Sequence, residues 1–295
     1  MSVLRTRFAP SPTGLLHVGN AFSAIICQQW AEQQQAELYL RIEDIDHTRC
    51  KPHFSDQLLE DLQWLGLQWH GEVQYQSMRS ALYDAALQQL YENKLIYPCF
   101  CTRKSILQDI ERIGLAPHAD EHNTPYPGTC RELAPDYARV RMQQQSFAWR
   151  LHIHHASMQV DAALSWLDEH GMATPVNLHQ MQDIVIGRKD IAYSYHLAVV
   201  VDDADQGITH VIRGEDLRSS TPVHRLLQAL LQLPSPIYIH HKLLHDPSGQ
   251  RLAKRNQSTT LQSLRQSGIE PEYLRQHLRE QARQSHALWH GDFGT

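Results

Sequence analysis

No stretch of this 295-residue chain holds the run of roughly 18 apolar residues that a membrane-crossing helix requires. Residues 1–10 also lack the apolar core of a signal peptide. A soluble protein of the cytoplasm with no membrane partner is therefore expected. Basic charge is scarce: 27 Lys and Arg against 32 Asp and Glu leave a net charge of −5, so bulk electrostatics give no reason to expect nucleic-acid binding. The shortage is uneven, because from residue 241 onward eight basic residues face five acidic ones, against 19 and 27 in the remainder. A mildly basic stretch of that kind can meet phosphate, although on charge alone it reads first as a solvated face. Cysteine is sparse and odd in number: Cys27, Cys50, Cys99, Cys101 and Cys130 do not make a disulfide framework in a reducing compartment. No exposed apolar stripe forces a dimer, and a monomer is expected. At 42% hydrophobic and 20% charged residues the composition is that of an ordinary globular protein, long enough for one large α/β domain or two modest ones.

The stretch Arg7-Phe8-Ala9-Pro10-Ser11-Pro12-Thr13-Gly14-Leu15-Leu16-His17-Val18-Gly19-Asn20 organises what is there. Leu4 to Phe8 reads as a short strand, stopped by Pro10 and Pro12, which cannot donate to a ladder. Ala21, Phe22, Ala24, Ile25 and Ile26 then follow at helical spacing. The first turn of such a helix aims N–H groups and a positive dipole end at the preceding turn, which suits phosphate, with His17 and Asn20 beside it. The same residues also fit a plain strand–turn–helix corner. Glu37 to Ile42 is the next strand, and strand, helix, strand in about 40 residues is a βαβ unit with parallel strands. Ligands bind beyond the carboxyl ends of such strands, where topology puts Arg7, Ser11 and Glu43.

Residues 55–66 and 78–93 read as amphipathic helices, and Ile96-Tyr97 begins a strand leading into Cys99-Phe100-Cys101. With Cys130 far along the chain, these thiols have the look of a tetrahedral structural zinc site that needs a fourth ligand: Tyr126, His118 or His122. Spacing alone favours a histidine. Residues 136–153 alternate and suit two antiparallel strands, whereas 154–182 carry no readable function. Asp183 to Asp190 reads as a strand and a tight turn, and Ala198 to Val201 reads as a fully buried strand. Gly207 to Arg213 is the next strand. Thr221-Pro222 opens a helix with Thr as its cap, and Ile237 to His240 is a further strand. The loop Arg251-Leu252-Ala253-Lys254-Arg255 and helices near 259–267 and 271–284 close the chain.

The string from Arg7 to Asn20 resembles the first signature of class I aminoacyl-tRNA synthetases in its glutamate-type form, and C-x-C with Y-x-x-x-C resembles the zinc insertion of short members of that family. The Arg251–Arg255 loop stands where the second signature, of K-M-S-K-S type, is expected. It departs from that pattern in Arg251 and Ala253 and keeps Lys254. The resemblance runs from residue 5 to about 260. It implies an α/β fold with a Rossmann-type parallel sheet in residues 1–98 and 183–236, a zinc-containing α+β insertion in 99–182, and a small helical C-terminal subdomain in 237–295.

It further implies that Arg7, Ser11, Glu43, Tyr195 and Arg213 hold L-glutamate. ATP with Mg²⁺ would lie against His17, Gly19 and Asn20 under Lys254, and one structural Zn²⁺ would be held by Cys99, Cys101, Tyr126 and Cys130. About 40 residues after Lys254 are too few for an anticodon-binding domain. This resembles the truncated members that attach glutamate to the queuosine base in the anticodon of tRNA(Asp) and activate it without tRNA. Charging of a tRNA 3′ end, and a catalytically inert tRNA- or partner-binding paralogue, are the alternatives.

Overall fold

The computed structural model describes residues 3–112, 126–244 and 259–285. In chain order its elements are β1 (Arg5–Phe8), α1 (Val18–Gln34), β2 (Glu37–Ile42), α2 (Pro52–Trp64), β3 (Gln74–Tyr75), α3 (Ser80–Glu92), β4 (Ile96–Cys99) and α4 (Arg103–Arg112). There follow α5 (Pro135–Gln144), β5 (Ala148–Leu151), α6 (Ile153–Ser157), β6 (Ser165–Leu167), β7 (Ala173–Pro175) and β8 (Ile184–Gly187). The last are α7 (Tyr195–Asp205), β9 (His210–Gly214), α8 (Thr221–Leu230), β10 (Ile237–His241), α9 (Leu261–Gln266) and α10 (Pro271–Ser285).

The expected parallel sheet is present. β1 pairs with β2 in the register Arg5↔Glu37 to Phe8↔Leu40, β2 with β3, and β10 with β9, all parallel. Thr209, just ahead of β9, donates its N–H to the Arg5 carbonyl at 3.0 Å and lays β9 along the free edge of β1. The carboxyl ends of β1, β2 and β9 therefore share one rim. α1 covers the sheet with Ala21, Phe22, Ala24, Ile25, Ile26, Cys27 and Trp30, all buried in one core with Leu40, Ile42, Leu58 and Leu62. At roughly 25 cal/mol per Å² of apolar surface removed from water, side chains of this size contribute about 1.5–3 kcal/mol each, which fixes α1, and with it the His17 turn, against β1. The antiparallel sheet β4–β5–β8 and the hairpin β6–β7 occupy the segment between the two halves of the parallel sheet.

Three expectations are corrected. Ala198 to Val201 lies in the helix α7. Ser194 caps it by accepting the Leu197 N–H at 3.4 Å, and residues 197–203 are all buried. A helix covered on every side shows no apolar stripe, and its valines then imitate a central strand. Gly207, at φ +65°, takes the left-handed turn that ends it. The alternation at 138–141 lies in the helix α5, with Pro135 in the first turn and Ala138 as its buried contact. Only residues 148–151 of that region are a strand, paired with β4 and β8. Finally, Thr221 is the first residue of α8 and Ser220 precedes it as the cap, without a side-chain bond. The Thr221 hydroxyl serves Arg213 instead. His118, His122 and the Arg251–Arg255 loop, Lys254 included, lie outside the described residues.

In α2, the Asp61 carboxylate is buried, with neither oxygen hydrogen-bonded. Arg265 of α9 is 3.6 Å away. Burial pushes this carboxyl up to about 6, against the pull of Arg265. A pKa raised in the folded state marks a stability contribution present at low pH and lost as pH rises through about 6. Asp61→Asn is therefore expected to unfold at higher denaturant concentration than the parent at pH 8, by on the order of 2 kcal/mol. The gap should close as pH falls toward 4. A parent as stable as the variant at pH 8 contradicts this.

Candidate active site

A cavity of about 880 Å³ opens at the rim formed by β1, β2 and β9. Arg7, Ser11, His17, Gly19, Asn20, Glu43, Tyr195 and Arg213 all line it, so every site residue expected there from the sequence, apart from Lys254, converges on one space. α1 begins at this cavity. Its N-cap, His17, has extended backbone and no side-chain cap bond, and its first turn holds no acidic residue. The turn thus presents the positive end of a buried 17-residue helix to the cavity. Both ends of the segment that carries Lys254 reach the same place. Leu243 and Leu244 line the cavity. On the far side, Thr259 accepts the Val18 N–H at 3.2 Å, and Leu261 donates to the Leu16 carbonyl at 2.9 Å.

Beneath the cavity lies a buried ionic network that the sequence did not reveal. Arg41, on β2, has no exposed surface. Its Nη1 donates to Asp203 Oδ1 at 2.8 Å and to Gln206 Oε1 at 2.6 Å, and its Nη2 donates to Glu43 Oε1 at 3.3 Å. Its Nε is 3.7 Å from Asp202 Oδ2. Asp202 in turn accepts from Gln76, Arg79 and Tyr83. Arg7 donates its Nε to the same Asp203 oxygen at 3.0 Å and its Nη1 to the Ile212 carbonyl at 3.3 Å. Burial alone would raise the Asp203 carboxyl, but Arg7 and Arg41 outweigh it and hold it below the ordinary carboxylate range. Glu43 goes the other way: burial pushes it up, against Arg41 and Arg7. Two adjacent acids at the end of α7 and an arginine inside a strand are the available sequence signals. Each is commonplace, and only the crossing of α7 over β2 gives them meaning.

Arg213 is arranged differently. It is 5% exposed, and its hydrogen-bond partners among the described residues are all neutral. Nη2 donates to Thr221 Oγ1 at 2.8 Å, and Nη1 donates to His224 Nδ1 at 3.1 Å and Tyr195 Oη at 3.4 Å. Nε donates to His240 Nε2 at 3.4 Å. Burial, then Arg213 itself, pushes His224 well below the ordinary range, His196 down to about 4 and His240 down to about 3. The histidine shell is uncharged at neutral pH. Arg7 is thus compensated by Asp203, while Arg213 is a buried cation whose partners among the described residues are uncharged acceptors.

The cysteines form a second centre. The sulfurs of Cys99, Cys101 and Cys130 all lie within 4.8 Å of one another. Those of Cys101 and Cys130 are 3.5 Å apart. Thiolates about 2.3 Å from one tetrahedral zinc sit about 3.8 Å from each other, so these residues fit the metal without rearrangement. The Tyr126 hydroxyl is 3.5 Å from the Cys99 sulfur and accepts the Cys130 N–H at 3.0 Å. The hydrogen bond from Cys130 holds the Cys99 thiol down to about 4, and the same contact drives Cys130 up. Thiolates brought this close are a ligand set that a divalent cation stabilises. Lys189, in the turn after β8, donates to the Phe100 carbonyl at 2.8 Å and joins this knuckle to the rim of the cavity.

A family model described as tRNA synthetases class I (E and Q), catalytic domain, matches residues 3–288. The glutamyl-Q tRNA(Asp) synthetase of Rhodobacter capsulatus is 43% identical over 282 residues, which span 92% of this chain and 98% of that protein. The corresponding protein of Symbiobacterium thermophilum is 40% identical over 282 residues, 92% of this chain and 84% of that one. Among solved structures, the glutamate-tRNA synthetase of Elizabethkingia anophelis matches with a TM-score of 0.71 at 27% identity, covering 86% of this chain. The match takes in 53% of that enzyme, so the chain spans about half its length.

Removing Arg41 leaves three buried carboxylates short of a cation. Arg41→Met is expected to lose about 3–5 kcal/mol of unfolding free energy at pH 7, with the deficit shrinking at acid pH as those carboxylates take up protons. Urea titrations at pH 7 and pH 5 test this, and an equal deficit at both contradicts the network as drawn.

Proposed function

The chain belongs to the class I glutamate and glutamine tRNA synthetases through their catalytic domain, and from that premise we propose that it activates L-glutamate with ATP and transfers the glutamyl group to the queuosine base in the anticodon of tRNA(Asp). The observation that carries this reading is the 43% identity to a glutamyl-Q tRNA(Asp) synthetase along 98% of that protein's length. The cavity chemistry supports the first half of the reaction. The side-chain carboxylate of glutamate meets Arg213, the cation without an acidic partner among the described residues, with Arg7 and Ser11 beside it. Glu43 takes the α-ammonium group and Tyr195 donates its hydroxyl.

The α-carboxylate is then free to attack the α-phosphorus of ATP, forming the mixed anhydride as the bond to pyrophosphate breaks. No side chain acts as a nucleophile. Positioning and charge neutralisation do the work: the first turn of α1 with His17, Gly19 and Asn20 faces the phosphates, and Lys254 and Mg²⁺ meet the charge that moves onto pyrophosphate. Activation needs no tRNA in this reading. In the second half-reaction a queuosine hydroxyl attacks the activated carbonyl, loses its proton and expels AMP.

In the same reading residues 1–98 and 183–236 are the split nucleotide-binding unit, 99–182 the insertion and 237–295 the C-terminal subdomain. The pairing of β10 with β9 carries the sheet itself past residue 236. Zinc, held by Cys99, Cys101, Cys130 and Tyr126, is structural, since its ligand set leaves no open position.

The 27% identity to a glutamate-tRNA synthetase keeps one other reading in view, charging of a 3′ end. The protein incubated with labelled glutamate, ATP and bulk tRNA is expected to place its label on an anticodon fragment of tRNA(Asp). Label on the 3′-terminal adenosine contradicts the queuosine assignment and supports the alternative, and no pyrophosphate exchange with glutamate contradicts both. Metal analysis should find about one zinc per chain, lost in Cys130→Ser. Undiminished zinc in that variant removes Cys130 from the site.

A further inference from the structure

The hydrogen bonds around Arg213 have an enforced direction. A guanidinium only donates, so His224 Nδ1, 3.1 Å from Arg213 Nη1, must carry a lone pair. The ring proton of His224 then sits on Nε2, which faces His196 Nδ1 at 3.1 Å. That atom accepts in turn, and the His196 proton moves to its own Nε2. Arg213, His224 and His196 thus form an ordered chain in which both rings are neutral and each fixes the tautomer of the next. His224 is 2% exposed and holds no place in the cavity wall, so it acts on a ligand only through Arg213.

We propose that His224, backed by His196, is a positioning residue that orients Arg213 without cancelling its charge, and that this arrangement selects a side-chain carboxylate over a carboxamide. The inference rests on the reading that Arg213 receives the side-chain carboxylate of glutamate. Arg7 shows the contrast within the same molecule: its partner Asp203 is a carboxylate 3.0 Å away, which orients the guanidinium but neutralises it. An imidazole nitrogen supplies the same acceptor geometry and leaves the positive charge for the ligand. The two hydroxyls on the fork, Thr221 at 2.8 Å and Tyr195 at 3.4 Å, are neutral for the same effect. A carboxamide offers this fork one acceptor and one group that repels it, whereas a carboxylate offers two acceptors and the opposite charge.

The test is ATP–pyrophosphate exchange with glutamate and with glutamine in variants of the full chain. Asn places its oxygen where His224 Nδ1 lies, Met removes the acceptor, and Asp adds the charge that the native shell avoids. Loss of one hydrogen bond to a charged group predicts that His224→Met raises the glutamate KM about 10-fold, with kcat and the ATP KM within about threefold of the parent. His224→Asn is expected to recover most of that loss. His224→Asp is expected to raise the glutamate KM about 100-fold and to cut the preference for glutamate over glutamine by at least about 10-fold.

Equal glutamate KM values in the Met and Asn variants overturn the proposal, and this comparison stands even where the Asp variant does not fold. An unaltered glutamate-to-glutamine preference in a folded His224→Asp protein also overturns it. Arg213→Met separates the layers. An unchanged glutamate KM there removes the carboxylate reading and this proposal with it. A large loss there combined with no response at His224 overturns the positioning role alone.

Discussion

Arg41 is the side chain on which the site depends. It sits fully buried within β2 and reaches Glu43, Asp202, Asp203 and Gln206 at once. A lone cation in such a place is prohibitively costly, and so are three lone carboxylates, so the group is stable only when assembled. Assembly requires that the end of α7 lie across β2. That crossing brings the second half of the parallel sheet, with Tyr195 and Arg213, against the first half, with Arg7, Ser11 and Glu43. The long segment between the halves, which carries the cysteine cluster, leaves this junction intact. An ion network of this kind adds little net stability over an apolar substitute, but it tolerates no alternative register.

The same network divides the labour between two arginines. Asp203 accepts from both Arg7 and Arg41, so the charge on Arg7 is largely answered within the protein. Arg213, the fourth residue of β9, meets hydroxyls and neutral imidazoles. Both arginines are buried and line one cavity, yet their electrostatic states differ. In the proposed reading, an amino acid with two carboxylates finds one guanidinium already paired with an acid and another with no acidic partner among the described residues. Beside them the N-terminus of α1, fixed by the buried face from Ala21 to Trp30, points its dipole into the same cavity. In the proposed reading, substrate recognition and phosphate recognition come from different elements, held at one rim by the parallel register.

Much of this was readable from the sequence. The motif from Arg7 to Asn20 marked the first strand–turn–helix, Glu37 to Ile42 was recovered residue for residue as β2, and strand-end polar residues located the rim. Cys99, Cys101 and Cys130 were found by spacing. The two misread elements share one physical origin, the loss of periodic contrast, while the Thr221 hydroxyl was drawn away from the cap by Arg213. α7 is covered all round from Leu197 to Asp203, so it shows no apolar stripe, and its valines suggested a strand. α5 buries Ala138 alone and shows no apolar stripe, and its alternation at 138–141 suggested another. The Arg41 network escaped notice because its members are 162 residues apart in the chain, and no local pattern links a strand arginine to two aspartates at a distant helix end. His224 was hidden for the same reason, one histidine among 20.

The central claim is that Arg213, which has no acidic partner among the described residues, receives the side-chain carboxylate of glutamate. A crystal structure of the protein with L-glutamate and a non-hydrolysable ATP analogue tests it most directly. The account predicts both side-chain carboxylate oxygens about 3 Å from the Arg213 guanidinium nitrogens, with His224 still accepting from Nη1 and Asp203 still bound to Arg7. A glutamate whose side-chain carboxylate lies away from Arg213, with Arg213 unchanged on its hydroxyl and imidazole partners, contradicts it.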